Sequence, residues 1–160
     1  MKIGLFRHGE KESEWTPDPR LNPVGQHQAL ELKQSVELGI LPKPTRLIAS
    51  PKIRAVLTLS PLARALNLPL EKSESLDERK NSEDAAQFKK RIVKVIESFP
   101  AGPDEIIFLC SHLDWIEEFL NQVPCDTDLH QLSEFSWNPG AYLIFDIEVI
   151  WHLTQKGRLL

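Results

Sequence analysis

Short apolar runs alternate along this chain with longer stretches in which apolar residues recur at helical spacing. Ile3-Gly4-Leu5-Phe6 is too short for a helix and apolar at successive positions, so residues 2–6 read as a strand buried on both faces. Arg46 to Ala49, Leu68 to Glu71 and Glu105 to Cys110 are further strands, the last being the clearest. Helical stripes lie between them. Asn22 is placed to cap a helix with Pro23 at its first position, and Ala29, Leu32 and Val36 form its inner face. Ser50 followed by Pro51 predicts a second helix start, with Ala55, Leu59, Leu62, Ala63 and Leu66 buried. Phe88, Ile92, Val95, Ile96 and Phe99 stripe a third helix, ended by Pro100 to Pro103. Trp115 to Leu120 lie on a fourth, and residues 141–147 and 148–154 close the chain as two strands with a poorly marked turn. No repeat, low-complexity segment or linker interrupts the pattern. It predicts one α/β domain over residues 1–160, a three-layer α/β/α sandwich around a mostly parallel central sheet.

Composition narrows the partners. With 26% charged and 41% hydrophobic residues the chain has the make-up of a soluble globular protein. A net charge of -4 excludes the broadly basic footprint of a nucleic-acid binder. Ala141 to Ile150, the longest apolar candidate, is interrupted by Asp146 and Glu148 and falls short of the ~20 residues of a membrane span. Met1-Lys2 leads straight into the first strand and leaves no room for a signal peptide, so a cytoplasmic chain is expected. Cys110 lies in an apolar run and reads as a buried small hydrophobe, Cys125 as a loop residue. Neither has an arginine six positions later, so a cysteine-phosphatase loop is absent. The two leave a disulfide open, with the reduced state the expectation.

The polar residues converge when placed on this scheme. Arg7 and His8 leave the first strand at its C-terminal end, followed by Gly9. Arg54 falls in the first turn of the helix after the second strand, and His112 follows the fourth strand. Parallel strands with helical crossovers bring these ends to one edge of the sheet, where open α/β folds bind ligands. Guanidinium groups match forked phosphate oxygens, imidazole can act as nucleophile or proton carrier, and helix N-termini favour anions. The pattern points to a doubly charged phosphoryl group. His27, His130 and His152 lack such company and read as structural or surface residues. Trp15 and Trp137 read as loop packing, and Lys11, Lys52, Arg79 and Lys80 as a solvated face or a steering ring at the mouth.

At these positions the sequence resembles the histidine phosphatase superfamily, whose fold is called phosphoglycerate mutase-like. Arg7-His8-Gly9-Glu10 resembles its signature, and Leu21-Asn22-Pro23-Val24-Gly25-Gln26-His27-Gln28-Ala29 its L-x-x-x-G-x-x-Q-A element. Ser50 to Thr58 is similar to S-x-x-x-R-A-x-x-T, Leu76-Asp77-Glu78 to L-x-E, and Ser111-His112 to the second histidine. The resemblance implies that His8 attacks phosphorus, forming a phosphohistidine, while Arg7, Arg54 and His112 hold the equatorial oxygens. Glu78 would protonate the leaving group and then activate water; Glu10, Asp77 and Asp114 are competing carboxylates. Asn22 and Leu113 join Arg7, Arg54 and His112 as implied substrate contacts. No metal and no cofactor is implied, since the arginines neutralise the phosphate.

The resemblance also bears on substrate. Members acting on small metabolites carry an insertion after L-x-E that covers the pocket, whereas here Glu78 is followed almost at once by Ser82-Glu83-Asp84. The domain is thus minimal, without a lid insertion, and open to a phosphorylated side chain on another protein. Ser111-His112-Leu113 and the stretch from Ser50 to Pro69 resemble SixA-type phosphohistidine phosphatases, while Ser13-Glu14-Trp15 is similar to a mutase element displaced by two residues. Mutase action itself is disfavoured, because its intermediate must be kept from water. The expectation is a metal-independent phosphatase acting on phosphohistidine in a signalling or phosphotransfer protein. A small-molecule phosphomonoesterase and a non-catalytic phosphate-binding module are the alternatives. Expected partners are a phosphorylated protein or a small phosphomonoester, with no nucleic acid or membrane, and a monomer is the expected state.

Overall fold

The computed structural model describes residues 1–99, 102–131 and 136–160. In chain order the elements are β1 (Lys2–Arg7), α1 (Pro23–Glu37), β2 (Arg46–Ala49), α2 (Ile53–Leu66) and β3 (Leu70–Lys72). A single 3-10 turn (Glu74–Leu76) precedes α3 (Ala85–Glu97), β4 (Ile106–Ser111) and α4 (Leu113–Gln122). A second such turn (Leu129–Gln131) leads to β5 (Ala141–Ile147) and β6 (Trp151–Arg158). The strands form one sheet in the order β3-β2-β4-β1-β5-β6. β1 to β4 pair in parallel, and β5 and β6 are added antiparallel beyond β1.

Alternation along β1 explains its unbroken apolar run. Ile3 and Leu5 enter a core with Phe88 and Ile92 of α3 and Trp115 and Phe119 of α4. Phe6 enters a second core with Leu32 of α1 and Leu59 and Leu62 of α2. A strand between two helical layers needs apolar side chains on both faces. The result is the expected three-layer α/β/α sandwich with a mostly parallel sheet, the phosphoglycerate mutase-like arrangement.

The chain steps outward from β1 through β2 to β3, and α3 returns it so that β4 inserts between β1 and β2. Hydrogen bonds from His8 N to the Ser111 carbonyl (3.1 Å) and from Ser50 N to the Cys110 carbonyl (2.9 Å) carry the ladder past the strand ends. This fixes where the next residues emerge. Gly25 lets α1 approach that edge, because a Cβ there would lie 2.1 Å from the Glu10 carbonyl oxygen.

Several boundaries differ from the sequence pattern. α2 begins at Ile53, not directly after Ser50; the Ser50 hydroxyl accepts from Lys52 N at 3.3 Å and also meets His112. The Asp18 carboxylate takes over the capping, accepting from Ile53 N at 3.1 and 3.2 Å. β3 covers residues 70–72. β6 starts at the buried Trp151 and runs to Arg158, leaving residues 148–150 as the turn. α3 ends at Glu97; of the predicted stop, Pro100 and Ala101 lie outside the described residues. Cys110 and Cys125 are both free thiols. Among the described residues no helix is long and apolar enough to cross a membrane.

Candidate active site

Three parallel strand ends supply the site. Arg7 closes β1 with His8 next to it, Arg54 stands in the first turn of α2, and His112 follows β4 as the residue before α4. His8, Arg54 and His112 are 4%, 5% and 3% exposed, yet all border one pocket of about 300 Å³. Arg7, Lys11, Glu78, Leu113, Asp114 and Glu117 complete its wall. The two imidazole rings lie 5.3 Å apart. α4 points its N-terminus at the same space and adds a favourable field for an anion.

Hydrogen bonds assign the tautomers. The Gly9 carbonyl can only accept, so His8 Nδ1, 2.8 Å away, carries the proton and Nε2 keeps a lone pair. Arg54 Nε donates to that Nε2 at 3.3 Å. Arg54 Nη2 lies 3.2 Å from His112 Nδ1, which therefore accepts, and His112 Nε2 donates to Ser50 Oγ at 2.7 Å. Ser50 Oγ passes the chain on to Asp77 Oδ1 at 3.5 Å. Burial, with Arg54 and Arg7 adding to it, lowers the His8 pKa to about 4. Burial, Arg54 and His8 push His112 down as well. Both rings are neutral at neutral pH, and each keeps an unprotonated ring nitrogen facing Arg54.

Arg7 donates to the Trp137 carbonyl, while its Nε is buried and meets no hydrogen-bond partner among the described residues. Arg7 lines the pocket, and a guanidinium there suits an anion oxygen. Arg54 Nη2 also reaches Glu78 Oε2 at 3.2 Å, and Lys52 Nζ stands 3.9 Å from Glu78 Oε1. No group of histidine, cysteine and acidic residues among the described residues is arranged to hold a metal ion.

The four carboxylates differ in what already holds them. Glu10 Oε1 accepts from the Asn22 side chain at 2.8 Å and does not line the pocket. Asp77 is buried behind Ser50 and accepts from Glu78 N at 2.9 Å. Asp114 borders the pocket, but its two oxygens accept from Arg79 N and Trp115 N, each at 2.8 Å. Glu78 presents a 43% exposed side chain to the pocket.

Asn22, an implied substrate contact, is instead a helix cap outside the pocket wall. Its Oδ1 accepts from Gly25 N at 2.9 Å and its Nδ2 goes to Glu10, so both ends of the amide are occupied. Leu113 does line the pocket. Of the cations expected at the mouth, Lys11 lines the pocket and Lys52 faces Glu78. Arg79 and Lys80 turn away, to the Glu83 carbonyl and the Glu74 carboxylate. Trp15 is 88% exposed and does not pack as the pattern suggests. Three more residues surround the site: Asp18, which had no local signal in the sequence, caps α2 and lies 3.7 Å from Arg54 Nη1; Thr58, whose hydroxyl accepts from Gly9 N; and Trp137, whose carbonyl accepts from Arg7. Ser50 and Thr58 share the S-x-x-x-R-A-x-x-T element with Arg54.

The buried neutral histidines have a consequence for stability. His8 takes up its proton at about pH 4 when folded, against about 6.5 when unfolded, so the unfolded state binds more protons between these values. Its contribution is present above pH 6.5 and is lost on acidification. From pH 7 to 5 this amounts to about 2 kcal/mol. Urea unfolding at both pH values is expected to show a smaller loss for His8→Asn than for the unaltered protein. Parallel curves would contradict it. His152, raised by its bond to Asp126, acts in the opposite direction in both proteins and cancels in the comparison.

A doubly wound sheet with two arginines and two histidines at its parallel strand ends defines the class of site that handles a phosphoryl group. The sequence model of the histidine phosphatase superfamily (branch 1) matches residues 3–83, and the chain belongs to that superfamily as one of its phosphatases. The match takes in His8, Arg54 and Glu78 and ends before His112. No curated protein matches the sequence significantly. Among solved structures, phosphoserine phosphatase from Entamoeba histolytica with 3-phosphoglyceric acid superposes with a TM-score of 0.72 at 17% identity, covering 97% of this chain and 95% of that one. Protein histidine phosphatase SixA with tungstate gives 0.69 at 17% identity, with coverages of 99% and 97%. Mycobacterial glucosyl-3-phosphoglycerate phosphatase with inorganic phosphate gives 0.70 at 14% identity, with 96% and 95%. At these identities the likeness is one of fold.

Proposed function

We propose that this phosphatase works through a phosphohistidine on His8 and removes phosphate from phosphohistidine on a signalling or phosphotransfer protein. The observation that carries the mechanism is the lone pair of His8 Nε2, kept unprotonated by the Nδ1 bond to the Gly9 carbonyl and met at 3.3 Å by Arg54, with Arg7 in the same pocket. His8 Nε2 attacks phosphorus and the bond to the leaving atom breaks. Arg7, Arg54 and His112 hold the equatorial oxygens, where charge accumulates. Glu78, which unlike Asp114 lines the pocket without accepting from a backbone N–H, passes a proton to the leaving atom. It then takes one from the water that attacks the phosphohistidine, releasing inorganic phosphate and restoring His8.

The substrate class rests on the short connection after Glu78. α3 begins at Ala85, which leaves residues 79–84 to build a cover, and these are tied down against Asp114 and Arg91. A surface-borne phosphoryl group reaches such a pocket without a lid. The second reading is a small phosphomonoester, favoured by the likeness to a phosphoserine phosphatase and a glucosyl-3-phosphoglycerate phosphatase.

Phosphate release from a phosphohistidine-bearing phosphotransfer domain, beside phosphoserine and a panel of sugar phosphates, separates the two. Faster release from the protein, by about 10-fold or more in kcat/KM, is the expected result. Preference for a small ester shifts the assignment to a metabolic phosphatase. Binding of tungstate without turnover of any substrate marks a phosphate-binding module.

A further inference from the structure

One arginine outside the pocket aims both terminal nitrogens of its guanidinium at the carbonyls of the segment that bears Glu78. Arg91, on α3, donates through Nη1 to the carbonyls of Glu74 (3.2 Å), Ser75 (3.0 Å) and Asp77 (2.9 Å). Its Nη2 donates to the carbonyl of Glu78 itself at 3.2 Å. We propose that Arg91 is a positioning residue that holds Glu78 at the leaving-group side of the pocket, an inference that rests on Glu78 being the proton donor.

The segment needs such a clamp. Between β3 and α3 its only regular structure is one 3-10 turn, so its carbonyls must find partners elsewhere. Four of the five from Glu74 to Glu78 find Arg91, those of Glu74 and Ser75 also accepting from Asp77 N at 3.2 Å and Trp115 Nε1 at 2.8 Å respectively, and the fifth, Leu76, accepts from Ser111 Oγ at 2.6 Å. The guanidinium is itself fixed. Glu83 accepts from Nε at 2.9 Å and Nη2 at 2.8 Å, and the Phe88 ring lies beneath with its centroid 5.0 Å away. With Glu78 N held by Asp77 Oδ1 at 2.9 Å, both backbone polar groups of Glu78 are anchored, and only its side chain is left to move. A lysine keeps the charge of Arg91 but cannot span four carbonyls and a carboxylate.

Leaving-group dependence reads this role. Loss of a positioned acid slows esters whose alkoxide needs a proton, and spares 4-nitrophenyl phosphate, whose phenolate departs without one. Arg91→Lys is expected to lower kcat/KM for an alkyl phosphate roughly 10- to 100-fold, the effect of about 1 Å of misplacement. For 4-nitrophenyl phosphate the expected loss is under about 3-fold. Glu78→Gln is expected to show the same signature, and Arg91→Lys to add little on top of it. Equal losses on both esters, or none on the alkyl ester, overturn the proposal. If Glu78→Gln shows the signature and Arg91→Lys does not, positioning by Arg91 is wrong while the acid stands. If Glu78→Gln lacks it, the acid assignment falls and the proposal with it.

Two further measurements do not depend on Arg91→Lys folding, and the second needs no turnover of either ester. Glu83→Gln loosens Arg91 from the other side and is expected to show the same leaving-group split in milder form. In that variant the amides of Glu78 and Arg79 are expected to exchange with solvent about 10-fold faster, with β1 and β4 unchanged. Unchanged exchange at those two amides counts against the clamp.

Discussion

His8→Ala is expected to lower turnover of every substrate by on the order of 10⁵-fold or more, the scale seen when a covalent nucleophile is removed. His112 is the pocket group most like it: its Nδ1 lone pair meets Arg54 Nη2 at 3.2 Å as that of His8 meets Arg54 Nε at 3.3 Å, but its Nε2 proton is committed to Ser50 in a chain that runs on to Asp77 and fixes the ring. Ser50 Oγ is buried between His112 and Asp77, and burial raises the Cys110 thiol to about 12, which leaves it inert. Loss of His8 also removes a buried imidazole without removing a core contact of the sheet, so the variant is expected to stay folded and to bind phosphate or tungstate through Arg7 and Arg54. Rapid quenching of the unaltered enzyme with radiolabelled substrate is expected to trap an acid-labile, base-stable phosphoryl group on the protein. Its absence, or substantial residual activity in His8→Ala, would place the nucleophile elsewhere.

What was legible in the sequence was local. Ile3 to Phe6 and Ile106 to Cys110 announce strands because burial on both faces demands unbroken apolar runs. Arg7, His8, Arg54 and His112 could be gathered because each lies a fixed short step from a parallel strand end, so the topology alone brings them to one edge. The rest depends on contacts between segments far apart in the chain. Ser50 has the pattern of a helix cap, yet its hydroxyl serves a histidine that follows a different strand, and the helix starts three residues later. Asp18 sits among prolines in a stretch with no periodicity, and only the folded hairpin shows that it caps α2. Asn22 was read as both cap and ligand contact, and the cap geometry consumes the amide that the contact would need. Four nearby carboxylates look equivalent in sequence. Backbone N–H groups engage both Asp114 oxygens and one of Asp77, and neither pattern nor spacing records those bonds.

Arg54→Lys is expected to cost on the order of 10³-fold in kcat, near the upper range for removal of one transition-state donor. The charge is retained, so the loss isolates geometry. Arg54 meets four groups from four parts of the chain: His8 Nε2 at 3.3 Å, His112 Nδ1 at 3.2 Å, Glu78 Oε2 at 3.2 Å and Asp18 Oδ1 at 3.7 Å. Only a planar fork reaches outward in all these directions at once. In the free enzyme the Nη2 donor contacts Glu78, so an incoming phosphoryl oxygen must share or take that donor as Glu78 swings to the leaving atom. An ammonium on a flexible stem can neutralise the phosphate but cannot tie its orientation to both histidines and the acid. Substrate binding is therefore expected to weaken less than turnover, with KM rising by under about 10-fold. Arg54→Ala tests the other half of the argument. Because the Arg54 charge helps to lower the His8 pKa, its removal is expected to move the His8 imidazole titration upward from about 4, as followed by NMR. A titration that stays in place would mean that burial and the remaining cations keep His8 neutral, and Arg54 would then matter only for the phosphoryl oxygens.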